Sequence, residues 1–218
     1  VREGEFLGIA GHTGSGKSTL VNLIPRFYDV TGGQVLLDGR DLRQWPMEEL
    51  RAQVGMVPQK AVLFKGTIRS NLQWGKPDAT EEEMWQAIDV AQAREVVEGK
   101  DGKLDARVAQ NGKNLSGGQR QRLTIARALG RKPEILILDD SASALDYATD
   151  AKLRAALREL EGNTTTFIVS QRASTIRHAD KIIVLDNGRV SAIGTHDELM
   201  RTNAIYRDVF ISQQKGAA

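Results

Sequence analysis

Apolar and polar residues along the chain follow two alternating periods. "EFLGIA", Glu5–Ala10, is a short apolar run that predicts a buried strand, and the glycine-rich turn behind it leads into a helix predicted from about Ser18 to Phe27. "GGQVLLDGRDL" predicts a strand between turn signals, and "AQVGMVPQ" another that ends at Pro58. From about Thr67 to Ala128 the texture becomes helical. Within it, "TEEEMWQAIDVAQAREVVE" begins with a capping box of Thr80 and Glu83 and puts Met84, Ile88 and Ala91 on one face. The acidic run Glu81–Glu83 reads as a solvated first turn favoured by the helix dipole rather than as a cation site. From Glu134 strands and helices alternate: "EILILDD", a helix carrying Leu145, Leu153, Leu157 and Leu160, then "TTTFIVS", "KIIVLD" and "GRVSAIG". A last helix opens with a Thr195/Glu198 box. Apolar strands alternating with amphipathic helices predict an α/β fold whose mainly parallel sheet is covered on both faces, with a helical lobe inserted near the middle.

Composition narrows the reading only a little. The 218 residues suffice for one or two compact units, and 40% apolar with 27% charged residues is ordinary for a globular chain. A net charge of +2 is too mild to suggest nucleic acid or an anionic membrane surface as partner. With no cysteine, disulfides and thiolate metal sites are excluded. The apolar runs are too short to span a bilayer. The chain opens on "VREGEFLGIAG" without a methionine, which reads as an excerpt of a longer parent chain.

Two motifs carry chemistry. "GHTGSGKST", residues Gly11, His12, Thr13, Gly14, Ser15, Gly16, Lys17, Ser18 and Thr19, matches G-x-x-x-x-G-K-[ST] after a predicted strand and before a predicted helix. Glycines let backbone N–H groups close around phosphates, Lys17 reaches the β and γ phosphates, and the Ser18 hydroxyl is placed for Mg²⁺. His12 fills a free position of the pattern and reads as a spacer. The apolar strand ending at Asp139 then supplies the carboxylate that organises Mg²⁺ in P-loop NTPases. Farther up the chain, "NLSGGQRQRLTIARAL" reads as a turn and N-cap leading into an amphipathic helix.

Taken together, these stretches resemble the nucleotide-binding domain of an ABC transporter over nearly the whole chain. Walker A falls on Gly11–Thr19, the Q-loop glutamine on Gln59 in "VPQKAVLF", and Walker B on Ile135–Asp139. The signature falls on Leu115, Ser116, Gly117, Gly118 and Gln119, and the D-loop on Ser143, Ala144, Leu145 and Asp146. "VPQKAVLFKGTIRSNL" is similar to the exporter branch. The resemblance implies a P-loop, RecA-like core with an antiparallel β subdomain (residues 1–60 and 131–218), and a helical subdomain bearing the signature (residues 61–130). It also implies ATP and Mg²⁺ as ligands, the metal held by Ser18, Gln59 and Asp139. Transmembrane domains are expected upstream, contacted through coupling helices at the cytoplasmic face of a membrane. Head-to-tail dimers place ATP between one subunit's Walker motifs and the other's signature. The aromatic that stacks on adenine in the family would precede Val1.

The chain departs from that family at three positions. Asp140 stands where good hydrolases carry a glutamate, Gln171 where they carry the switch-loop histidine, and Gln110 where exporters often have a glutamate. Asp140, Gln171 and Gln59 are the candidate catalytic residues. An aspartate, one methylene shorter, sits about 1 Å from its task, and such a displacement can cost about a hundredfold in rate. Gln171 donates a hydrogen bond but carries no cation. The pattern resembles the degenerate half of a heterodimeric ABC exporter, with an impaired site of its own and an intact signature serving a competent partner. The alternatives are a homodimeric exporter ATPase in which Asp140 still serves as base, and an ATP-binding regulatory module without transport. His178 and His196 read as surface or helix-start residues, and Trp45, Trp74 and Trp85 as packing residues.

Overall fold

The computed structural model describes residues 1–160 and 164–215. In chain order its elements are β1 (Phe6–Ala10), α1 (Lys17–Asn22), β2 (Leu36–Leu37), β3 (Arg40–Asp41), α2 (Met47–Gln53), β4 (Val54–Val57) and β5 (Gly66–Thr67). There follow α3 (Ile68–Gln73), α4 (Glu81–Val90), α5 (Arg94–Glu98), β6 (Arg107–Val108), α6 (Gly117–Leu129), β7 (Ile135–Asp139) and α7 (Tyr147–Arg158). The last are β8 (Thr165–Val169), α8 (Ala173–Ile176), β9 (Lys181–Asp186), β10 (Arg189–Gly194), α9 (His196–Thr202) and α10 (Ala204–Lys215). No described helix is long and apolar enough to cross a membrane.

The chain divides into two compact units, one of Val1–Met56, Glu134–Asp140 and Gly162–Ala218, the other of Val57–Pro133 and Ser141–Glu161. The first is built on a six-stranded sheet in the order β10-β9-β1-β8-β7-β4. β1 runs parallel to both β8 and β9, β7 runs parallel to β8, and β10 returns antiparallel on β9 at the edge. All five residues of β1 and all five of β7 are buried, which is why both read as unbroken apolar runs rather than alternations. Ile9, Ile135, Ile137, Val169 and Leu185 pack with Val21 of α1 on one face. The other face takes α8, where the missing side chain of Gly8 makes room for Ile176, whose Cβ would stand 2.8 Å from an added methyl. Register sets Val169 opposite Ile9 on one side and opposite Asp139 on the other, so three neighbouring strands end together at one edge.

Several local expectations change in this unit. The predicted first helix stops at Asn22: Leu23 and Ile24 already bond to the third residue back, Pro25 has no N–H to continue the ladder, and Arg26 takes a left-handed backbone (φ 55°) before Phe27. "GGQVLLDGRDL" is not one strand but the β2–β3 hairpin. Its turn residues Asp38 and Gly39 both have positive φ (51° and 75°), the demand of a two-residue hairpin turn. The final helix is interrupted at Asn203, which leaves the helical path, accepts the Tyr206 N–H on its side chain and donates to Ser191 Oγ. Tyr206 is wholly buried and its hydroxyl lies 2.9 Å from His196 Nδ1, so His196 belongs to packing at the start of α9.

The second unit is mainly helical. α3 and α4 pack on α6, and α4 also meets α7. α4 buries Met84, Ala87 and Ile88 and starts with the predicted Thr80–Glu83 box. α6 buries Leu123, Ile125, Ala126, Ala128 and Leu129. The helix expected to carry Leu145 and Leu160 is shorter: it begins at Tyr147 because Asp146 caps it, and it ends at Arg158. Trp74 is not a core residue. It is 67% exposed, its ring tilted on that of Phe64 at 4.7 Å.

Candidate nucleotide site

Within the first unit, β1 delivers the chain into a loop that only glycine permits. Gly11, Gly14 and Gly16 have φ of 150°, 81° and 99°, and a Cβ on Gly11 would lie 2.4 Å from Leu185 O and 2.5 Å from Ser15 Oγ. The loop is tied down at its base: the Ser15 N–H donates to His12 O, and the Gly188 N–H donates to Ser15 O from the β9–β10 turn. Its rim is open, with His12, Thr13 and Gly14 exposed and no atom within 4 Å of a Cβ placed on Gly14. Lys17, only 8% exposed, folds back so that Nζ donates to Gly11 O at 2.9 Å and His12 O at 2.8 Å. Burial holds its ammonium below the ordinary lysine range, a pull opposed by the nearby charges of Asp140 and then Asp139.

Ser18 Oγ donates to Asp139 Oδ1 at 3.0 Å. Asp139 ends β7 almost out of contact with solvent, and burial pushes its carboxyl up from the ordinary aspartate range. The Ser18 hydroxyl opposes that shift, the Asp140 charge adds to it and Lys17 counters it. Asp140 leaves the strand in a left-handed conformation (φ 47°), its N–H donating to Val169 O at 2.8 Å. Gln171 follows β8 at the same sheet edge, exposed, after the buried Ser170 whose Oγ accepts the Arg172 N–H. A hydroxyl and a carboxylate within hydrogen-bonding distance form a hard-oxygen pair of the kind Mg²⁺ selects. The buried ammonium on two carbonyls and the open glycine rim suit a polyphosphate. The first unit therefore brings together Gly11–Thr19, Asp139 and Asp140, with Gln171 at the adjoining strand end.

The second unit holds Gln59, the signature turn and the loop Ser143–Asp146. Gln59 is exposed. Leu115 is buried, and Ser116 caps α6: its Oγ accepts the Gln119 N–H at 3.2 Å while Gln119 Oε1 accepts the Ser116 N–H at 3.0 Å. Gly117 is exposed, and a Cβ on Gly118 would approach Ala144 O to 3.1 Å, so a small residue is needed where the two loops meet. Ser143 and Ala144 are exposed and Leu145 is buried. Asp146 accepts both the N–H and the hydroxyl of Thr149, at 2.8 and 2.7 Å, and these bonds lower its pKa. That capping role is legible in the D-x-x-T spacing but was not part of the expectation for this residue. The left-handed backbone of Asp140 has no local sequence signal.

A mainly parallel sheet whose first strand enters a glycine loop closed by a lysine, with an aspartate ending a nearby strand, defines an α/β nucleotide-binding fold of the P-loop type. The family model described as ABC transporter matches residues 1–143, and the chain belongs to that family. It is 48% identical over 98% of its length to a putative multidrug export ATP-binding/permease protein of Bacillus subtilis, of which it covers 37%. It is 50% identical over 99% of its length to an uncharacterized ABC transporter ATP-binding protein of Mycobacterium tuberculosis, again covering 37% of that protein. Among solved structures, a bacterial Atm1-family ABC exporter with ATP bound superposes with a TM-score of 0.93 at 37% identity, over 97% of this chain and 37% of that one. The chain thus spans a little over a third of the relatives it matches.

Proposed function

We propose that this chain is the ATP-binding domain of an ABC exporter and that its own nucleotide site is the weakly hydrolysing half of a heterodimer. In this reading the amides of Gly11–Thr19 surround the phosphates of ATP, and Lys17 gives up Gly11 O and His12 O for the β and γ phosphates. Ser18 and Asp139 would hold Mg²⁺, which would supply charge neutralisation to the phosphates; the family resemblance adds Gln59 of the Q-loop to that set. Asp140 and Gln171 occupy the places of the water-activating carboxylate and the γ-phosphate contact. Leu115–Gln119 and the loop Ser143–Asp146 face the ATP of the second subunit, a hydrolysis-competent ABC domain. Transmembrane parts of the parent polypeptide dock through coupling helices, which sets the domain at the cytoplasmic face of a membrane. Nucleic acid has no place in this reading.

One observation carries the weak-site reading. The backbone of Asp140 is fixed by its N–H bond to Val169 O at 2.8 Å, so a sheet strand holds the residue where it is. An aspartate there cannot recover by backbone movement the methylene that a glutamate would supply, and Gln171 adds no positive charge nearby. The test is steady-state turnover by this domain with Mg·ATP, alone and as Asp140→Glu with Gln171→His. ATP binding with very slow turnover, raised about a hundredfold by the paired substitution, is the expected result. Brisk turnover by the unmodified domain overturns the weak-site reading and restores the homodimeric ATPase.

A further inference from the structure

The hairpin of β9 and β10 turns on Asn187 and Gly188 alone, since Asp186 pairs with Arg189. Both turn residues have left-handed backbones (φ 45° and 76°), as a two-residue hairpin turn built on Asn-Gly requires. Both are exposed, yet the turn is not a free tip. The Gly188 N–H donates to Ser15 O at 3.0 Å, and a Cβ on Gly16 would lie 3.6 Å from Gly188 Cα, so the hairpin braces the glycine loop. The Asn187 side chain is held as well, its Nδ2 donating to Asp186 Oδ1 at 3.1 Å. A second Asn-Gly pair, Asn111–Gly112, has the same left-handed backbones, but there the Gly112 N–H bonds to Ala109 O within its own turn.

An Asn-Gly pair carries its own reagent. Glycine has no side chain to shield its main-chain nitrogen, and bonding of that nitrogen to the asparagine Cγ closes a five-membered ring. We propose that Asn187–Gly188 is a self-modification site that the glycine loop keeps latent. In the reaction the Gly188 nitrogen bonds to Asn187 Cγ, the Cγ–Nδ2 bond breaks, and the Gly188 proton leaves with Nδ2 as ammonia. Water then opens the succinimide at either carbonyl, giving aspartate or isoaspartate, so water is the only co-reactant. The attacking nitrogen is the one whose N–H is donated to Ser15 O, so each conversion begins with the loop letting go. Neither the succinimide nor isoaspartate restores the tie. The first has no N–H at Gly188, and the second lengthens the two-residue turn by a methylene. Hydrolysis also leaves a new carboxylate beside a loop suited to phosphates. The modification stands apart from the proposed nucleotide site, and only its effect on ATP rests on that reading.

The experiment ages three samples side by side near neutral pH: the folded chain, the folded chain saturated with Mg·ATP, and the chain unfolded in guanidinium chloride. Conversion at Asn187 and at Asn111 is followed by peptide mass spectrometry with isoaspartate labelling. Asn187 is expected to convert about fivefold or more slowly in the folded chain than in the unfolded one, the scale of one hydrogen bond to be opened. Mg·ATP, by steadying the loop, slows it further. Gly188→Ala, whose methyl meets no atom within 4 Å, abolishes the conversion by shielding the nitrogen. Isoaspartate-containing chain, separated by its extra negative charge, binds Mg·ATP about fivefold or more weakly. Asn187→Asp, which brings the charge and keeps the Gly188 N–H, loses less, and an equal loss overturns the broken tie as the cause. Equal rates in the folded and unfolded chains, a rate indifferent to Mg·ATP in a chain that binds it, or unchanged ATP affinity after conversion overturns the proposal. A chain that binds no ATP refutes the nucleotide reading instead, and the comparison of folded with unfolded chain then decides the modification site alone.

Discussion

Replacing Asp139 by asparagine should make the nucleotide-free domain more stable and its Mg·ATP complex less so. The carboxyl is 6% exposed, and its pKa is raised chiefly by that burial and further by Asp140. Asparagine is nearly isosteric and keeps an oxygen to accept the Ser18 hydroxyl now at 3.0 Å. The exchange removes a buried charge, while Lys17 loses only the weaker of its two carboxylate neighbours. A gain of about 1 kcal/mol is the scale of such a change, and for a chain of this size it raises Tm by about 2–4 °C. The pH dependence has a definite sign. Because the folded pKa lies above the reference value of 3.8, the folded carboxyl is favoured when protonated, and the aspartate costs stability only as pH rises through its folded pKa. The variant's advantage therefore vanishes below about pH 3.8, where both states are protonated, and grows as pH rises from there through the folded pKa. Mg·ATP reverses the order: at a hundredfold excess over Kd it stabilises the unmodified domain by about 2.7 kcal/mol, and the variant forfeits much of this. Thermal melts at pH 7 and pH 4, with and without Mg·ATP, test both halves. A variant that melts at or below the unmodified domain at pH 7 without nucleotide refutes the reasoning.

Two further substitutions probe the second unit. Asp146→Ala removes the cap on α7 and should cost about 1 kcal/mol, read as a lower urea midpoint with unchanged m. Loss of stability should appear equally with and without ATP if the cap is its cause. Gly75→Ala would bring a Cβ to 2.2 Å from Arg127 O, a backbone atom that cannot turn aside, so α3 and α6 must separate. A loss of about 1–3 kcal/mol is expected from chemical denaturation, and a neutral result would mean that the two helices have room to shift.

Much of this was legible because the signals are local. The strands β1 and β7 are unbroken apolar runs, the Thr80–Glu83 and Thr195–Glu198 boxes announce their helices, and the phosphate-loop pattern lies between its strand and helix. Where reading failed, the cause was usually a backbone turn that overrode periodicity. Pro25 and Arg26 closed off α1 after Asn22, Asp38 and Gly39 folded one apparent strand into a hairpin, and Asp146 moved the start of α7 past Leu145. α2 was missed altogether, its seven residues sitting between Pro46 and the strand they feed. What no window of sequence contains is the set of long-range ties, Asp140 on Val169 and Ser18 on Asp139.

The strand order also dictates a timetable. β1 leaves the ribosome long before its two hydrogen-bonded neighbours, β8 and β9, which begin at Thr165 and Lys181. At about 5–20 residues per second, the interval from β1 to β8 lasts on the order of ten to thirty seconds. Throughout it a fully apolar strand has no lawful partner, while the helical unit encoded in between can already close on itself through local contacts. Nascent chains stalled before β8 should therefore be the form of this protein most dependent on chaperones and most prone to mispair with a neighbouring polysome's β1.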